Sequence, residues 1–196
     1  YIILLLALVS FMGMPYTVLM PVFAKEILHG GAHTFGFLMG ASGVGALTGA
    51  IFLASRRSIL GLGRIVPTAA IIFGVGLVSF AYSRFLFLSM ALMVVVGLGM
   101  MLQMAASNTI IQTIVDDDKR GRVMSFYAMA FMGTAPFGSF FAGSMATMFN
   151  VPVTIMVGGV ACIIGGLVFA RQLGKLKTMV RPIYVKLGIL PVEGSE

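Results

Sequence analysis

The sequence predicts an all-α membrane protein, a bundle of six transmembrane helices, on three observations. Of its 196 residues, 59% are hydrophobic and only 10% charged, whereas a soluble domain is about one quarter charged. Apolar stretches long enough to cross a hydrocarbon core, roughly 20 residues each, recur between short polar or Gly/Pro-bearing breaks. The basic residues fall in alternate loops, as they do when one side of a membrane retains them.

The six helices are predicted at about 2–24, 35–54, 65–82, 86–114, 123–147 and 152–171. Together they make a half-domain over 1–171, followed by a cytoplasmic basic tail over 172–196. Length and hydropathy carry this assignment, because helices bundled within lipid can be apolar all round and need show no 3.6-residue stripe.

The first helix opens on Tyr1 in apolar sequence, with no basic leader and no small-residue cleavage site, so it reads as a span cut from a longer chain rather than a signal peptide. Pro15 and Pro21 in it, Pro67 in the third helix and Pro136 in the fifth each remove a backbone donor, so kinks or broken ends are expected there. The second helix carries small residues at four-residue spacing, Gly36 and Gly40, then Gly45 and Gly49; Ser139 and Gly143 repeat the spacing in the fifth. Such rows let helices approach closely, as static packing or as a sliding surface. The fourth helix lies in a run, Phe85 to Val115, that holds no Asp, Glu, Lys or Arg; each Asp, Lys or Arg at a helix centre would cost about 2.5–3.5 kcal/mol on insertion scales. The sixth holds Cys162, the only cysteine, which excludes an intrachain disulfide and a multi-cysteine metal site.

Charge fixes an expected topology. Arg56, Arg57 and Arg64, then Lys119, Arg120 and Arg122, then Arg171, Lys175, Lys177, Arg181 and Lys186 lie on one side, leaving only Lys25 and Arg84 of the 13 basic residues for the other. Both ends of the chain are therefore expected in the cytoplasm. The net charge of +7 reads as this asymmetry, with the lipid bilayer as partner rather than nucleic acid.

The stretch Leu102 to Gly143 contains Leu-Gln-Met-Ala-Ala-Ser-Asn-Thr-Ile-Ile-Gln, then Asp-Asp-Asp-Lys-Arg-Gly-Arg-Val-Met-Ser, then Gly-Thr-Ala-Pro-Phe-Gly-Ser. It resembles the tenth helix, cytoplasmic loop and eleventh helix of the enterobactin-exporter-like branch of the major facilitator superfamily. The first 60 residues fit the same branch: Pro-Tyr-Thr-Val-Leu-Met-Pro-Val-Phe-Ala-Lys-Glu-Ile-Leu resembles its seventh helix, and Gly-Ala-Ser-Gly-Val-Gly-Ala-Leu-Thr-Gly-Ala its eighth. The loop between the eighth and ninth helices of that branch often carries an Asp, absent here, while Gly49, Arg56 and Arg57 remain.

The resemblance implies the C-terminal half of a major facilitator fold in a bacterial plasma (inner) membrane, working with an N-terminal six-helix half. It implies secondary active efflux of a small amphipathic substrate, siderophore or drug-like, by an antiporter. No ionisable side chain lies in the interior of a predicted span, so a proton-coupling carboxylate is expected in the other half. The uncharged polar residues Gln103, Ser107, Asn108, Thr17 and Ser42 are the candidates for the substrate cavity, which the resemblance places among the seventh, eighth, tenth and eleventh helices. Gln103 and Ser107, like Asn108 and Gln112, are four apart and share a helix face; an interhelical hydrogen bond is the plain alternative for Gln103. Asp118, Arg120, Gly121 and Arg122, with Arg56 and Arg57, are the candidates for a cytoplasmic gate; an ordinary charged turn is the alternative. Gly36, Gly40, Gly45, Gly49, Pro136 and Gly143 are assigned to helix packing. The 16 Met and 16 Phe suit an adaptable apolar cavity, though most are expected against lipid or neighbouring helices.

Other classes fit less well. Gly40-Ala41-Ser42-Gly43 matches an intramembrane serine protease pattern, but His29 and His33 fall in an outer loop and leave Ser42 without a base. That pair of histidines is itself split by Gly30 and Gly31, which disfavours a helical metal site. No Gly-rich phosphate loop occurs, and no cofactor or metal is expected. A stand-alone six-helix subunit or assembly factor remains the alternative to a transporter half.

Overall fold

The computed structural model describes residues 1–56, 58 and 60–186. Among them every regular element is helical and no strand occurs: α1 Ile2–Leu8, α2 Tyr16–Glu26, α3 Ala32–Ala54, α4 Leu62–Tyr82, α5 Leu86–Ile114, α6 Asp117–Ala128, α7 Ala135–Met148 and α8 Val151–Lys186. Two π-helical turns, Val9–Gly13 and Met129–Gly133, join α1 to α2 and α6 to α7. Five stretches are long and apolar enough to cross a membrane: Ile2–Glu26, Ala32–Ala54, Leu62–Tyr82, Leu86–Ile114 and Val151–Leu176. The predicted span 123–147 is not one of them. Its run of Gly133, Thr134, Pro136, Gly138, Ser139, Gly143 and Ser144 dilutes the apolar sequence. The last helix does not stop near 171 but continues to Lys186, taking in part of the predicted tail; residues 187–196 and Arg57 lie outside the described residues.

Glycines set how closely the long helices pack. A Cβ on Gly45 would strike the Val94 carbonyl, and one on Gly97 the Ser42 carbonyl; Gly49 lies against Leu98 and Leu102. Rising numbers on α3 thus meet rising numbers on α5, and the two run parallel. Gly99 brings α5 onto Phe73 and Ala69 of α4, while Gly74 and Gly159 face one another so closely that a Cβ on either would come within 2.5 and 2.7 Å of the other's carbonyl oxygen. The order α3, α5, α4, α8 follows from these contacts, and α1, α2 and α7 close over it. Around Phe73, Phe80, Phe23, Met20 and Leu38, all at 0% exposure, lies the main apolar core. A second, small core of Leu6, Ile111 and Tyr127 joins α1, α5 and α6 at the basic end of the bundle.

The remaining small residues of the predicted rows do not pack within this bundle. Gly36, Gly40 and Gly143 have nothing within 4 Å of where a Cβ would stand. Gly36 and Gly40 are exposed, on a side of α3 turned away from α5.

The prolines act unequally. Pro15 follows the first π-turn directly and Pro136 lies in the first turn of α7, after the second. A proline cannot bond the carbonyl four residues back and its ring crowds that carbonyl, so the chain ahead of Pro15 widens to an i→i−5 bond, Met14 N–H to the Val9 carbonyl at 3.0 Å. Pro21 and Pro67 lie inside α2 and α4, which continue through them.

Candidate functional site

The two π-turns meet. Ser10 in the first is 0% exposed and its hydroxyl donates to the Phe131 carbonyl in the second. The widened first turn pushes its carbonyls sideways, and the neighbouring helices leave room for them. A Cβ on Gly138 of α7 would strike the Phe11 carbonyl, and one on Gly158 of α8 the Met12 carbonyl; a Cβ on Gly13 would meet the Phe73 ring and, at 2.9 Å, Cys162 Sγ. Phe11 is the residue four before Pro15, so Gly138 accommodates the carbonyl that proline displaces. Such turns tend to occur at functional positions within helices. Here a pair of them divides two helical stretches into short pieces nearer the basic loops, α1 and α6, and pieces farther from them, α2 and α7.

The candidate cavity residues surround this junction unevenly. Gln103 is 1% exposed and Ser107 0%, and Gln103 Nε2 and Ser107 Oγ have no hydrogen-bond partner among the described residues. They share a face of α5 one turn from each other, and Gln103 lies one turn beyond Gly99 on the side turned to α4. One residue further on, the Met104 carbonyl accepts the Tyr127 hydroxyl at 2.9 Å, which fastens α6 to α5. Burying a polar group without a partner costs about 1–3 kcal/mol, so this pair is the costliest polar feature of the interior. Ser42 is buried at 8% exposure and its hydroxyl is 3.4 Å from that of Tyr16, which stands edge-on to Phe73 at 6.1 Å between ring centroids. Thr17 bonds the Met14 carbonyl at 3.0 Å beside the first break. Asn108 stands apart, accepting from Gln112 Nε2 at 2.6 Å on an exposed part of α5.

The basic end is solvated. Arg120 pairs with Asp117 at 2.6 Å and Lys119 with Asp116 at 3.5 Å within α6, exposed pairs that add little stability. Asp118, Gly121 and Arg122 are exposed, and Asp118 and Arg122 form no ion pair among the described residues. Arg122 lies in the second turn of α6, because the helix begins at Asp117 rather than at 123. Arg56 folds back on its own loop, with Nη2 3.4 Å from the Leu60 carbonyl and its guanidinium 5.9 Å from the centre of the Phe52 ring. His29 and His33 flank the turn between α2 and α3.

Sequence reasoning missed the π-turns, the roles of Ser10 and Phe131, and the partners Gly138 and Gly158. Pro15 and Pro136 were the available signals for the breaks, and no periodic pattern marks a single extra residue in a helical turn.

Long apolar helices, two of them broken, packed around a buried amide and buried hydroxyls fit an integral membrane protein of the transporter type. The chain belongs to the transmembrane secretion effector family, of the major facilitator kind, which matches residues 2–180. It is also similar to a staphyloferrin A transporter of Staphylococcus aureus (strain NCTC 8325 / PS 47), 24% identical over 165 residues. That alignment covers 84% of this chain but 41% of the relative's length. The family is one of transport proteins rather than enzymes.

Proposed function

We propose that this chain is the C-terminal half of a secondary active exporter of the enterobactin-exporter-like branch, moving a small amphipathic compound out across the bacterial plasma membrane. The observation that carries the reading is the meeting of two broken helices at Ser10 and Phe131, inside a bundle of the transmembrane secretion effector family. Alternating access requires segments that change angle while a scaffold stays packed. The glycine-tight row of α3, α5, α4 and α8 supplies the scaffold, and α1 and α6 are the segments that tilt about the π-turns.

Gln103 and Ser107 are the polar groups on which substrate lands once α1 and α6 swing outward; in the present arrangement they are closed in. Ser42, Tyr16 and Thr17 line the approach from the outer side, and Asn108 the approach from the basic end. A small amphipathic substrate, siderophore or drug-like, suits two neutral hydrogen-bonding groups amid apolar walls, and the similar protein's name, staphyloferrin A transporter, favours a siderophore. The N-terminal half would face this one across the cavity and would hold the proton-coupling carboxylate. Arg56, Arg120 and Arg122 would meet its acidic residues at the cytoplasmic gate.

The test is transport by the complete protein in everted membrane vesicles. Vesicles energised by an inward-acid pH gradient are expected to accumulate an iron-free siderophore, and to lose it on adding a protonophore. Accumulation of neither this compound nor an amphipathic dye, with the protein shown to be folded and inserted, would remove the reading.

A further inference from the structure

At the end of the bundle opposite Arg56 and Arg120, a cleft of about 320 Å³ opens between the last turn of α4, the end of α2 and the first turn of α8. Its walls include Ile27, Val153 and Met156, and Arg84 is the one charged residue among those that line it. Arg84 spends Nη1 on the Ala81 and Ser83 carbonyls, both at 3.2 Å; its Nε and Nη2 have no partner among the described residues. Asn150 accepts the Val153 N–H through Oδ1 at 2.9 Å, which turns its amide NH₂ outward, likewise unpaired. Arg84 and Asn150 thus present unpaired donors, and no carboxylate lines the cleft that could hold a cation.

An apolar track leads away from these donors. The Tyr82 hydroxyl contacts Met156 Sδ at 3.2 Å, placing both on one side of the groove between α4 and α8. Below Met156 on the same face of α8 stand Val160, Ile164 and Leu167, exposed by 42, 56 and 50%. From Met156 to Leu167 this face runs about 16 Å at 1.5 Å per residue, much of the length of a lipid acyl chain. Tyr82, Phe85 and Phe149 are exposed by 68, 73 and 62% around the mouth, aromatic rings at the level where a membrane meets water.

We propose that this cleft is a binding site for an anionic phospholipid, its phosphodiester held by Arg84 and Asn150 and one acyl chain laid along α8. The unpaired donors select an acceptor anion, the missing carboxylate disfavours headgroups that carry an ammonium, and the apolar track distinguishes a lipid from free phosphate. Nothing in the transport cycle proposed above requires this site, which lies on the far side of α4 and α8 from α3 and α5.

The complete protein in detergent, offered equal amounts of phosphatidylglycerol and phosphatidylcholine with the same chains, tests this by native mass spectrometry of retained lipid. The expected preference for phosphatidylglycerol is about fivefold, the worth of roughly one arginine at a membrane surface. Arg84→Gln should abolish it, and Lys175→Gln, near the other end of α8, should keep it. Equal retention of the two lipids by the unaltered protein overturns the proposal whatever the variants do, and so does a preference that survives Arg84→Gln in a folded sample. Displacement of the bound lipid by millimolar inorganic phosphate overturns the assignment to a lipid.

Discussion

Gln103 carries the strongest claim at the scale of single residues, because an interior amide with no partner is expensive unless something else binds it. Its neighbour Ser107 is in the same position one turn on, whereas Ser10, Tyr127 and Thr17 all find carbonyls. Gln103→Leu removes an unpaired polar group at similar volume. It should leave the melting temperature in detergent unchanged or raised, while vesicle transport falls by about tenfold, the loss of roughly one substrate hydrogen bond. A fall in stability with transport intact would make Gln103 a packing residue instead. The identity and spacing of these polar residues could be read in the sequence, since four apart on a helix means one face. That Gln103 and Ser107 are closed in while Asn108 is half-exposed could not be, because within lipid the hydropathy of α5 is high on every side and does not distinguish a lipid-facing residue from an interior one.

Five of the six predicted spans coincide with long apolar helical stretches, and the ends predicted for α3, α4 and α5 differ from those observed by at most three residues. The π-turns escaped because the apolar run passes through them unbroken. Prolines gave a partial signal: Pro15 and Pro136 adjoin breaks, while Pro21 and Pro67 do not. The difference at Pro15 lies in what receives the displaced carbonyl, a glycine on another helix, which only the assembled bundle reveals. Gly138→Ala would drive a methyl into the Phe11 backbone; overpacking of this kind costs about 1–3 kcal/mol. Gly36→Ala, with open space around it, should change stability by less than about 0.5 kcal/mol. Chemical unfolding of the two variants beside the unaltered protein measures the contrast, and equal effects would mean that the first π-turn does not depend on that glycine.

At the scale of the whole molecule, the proposed cycle moves α1 and α6 together against the row α3, α5, α4 and α8. Leu6 of α1 and Tyr127 of α6 meet over Ile111 of α5 in a small core that such a movement would have to part, and the two π-turns are tied at Ser10 and Phe131. The sequence conveyed the alternation of charge and five of the six predicted apolar spans. It did not convey this division into mover and scaffold, which arises from where glycines on separate helices happen to face each other. The most direct measurement is the distance between spin labels at Leu4 of α1, 70% exposed, and Ser55 beyond the end of α3, taken by pulsed electron resonance on the complete protein in lipid. Cys162 is buried and leaves the introduced cysteines as the reactive ones. Two distance populations are expected, with a ratio that shifts when substrate is added or the pH gradient is reversed. A single population, unmoved by either, would contradict the proposed cycle.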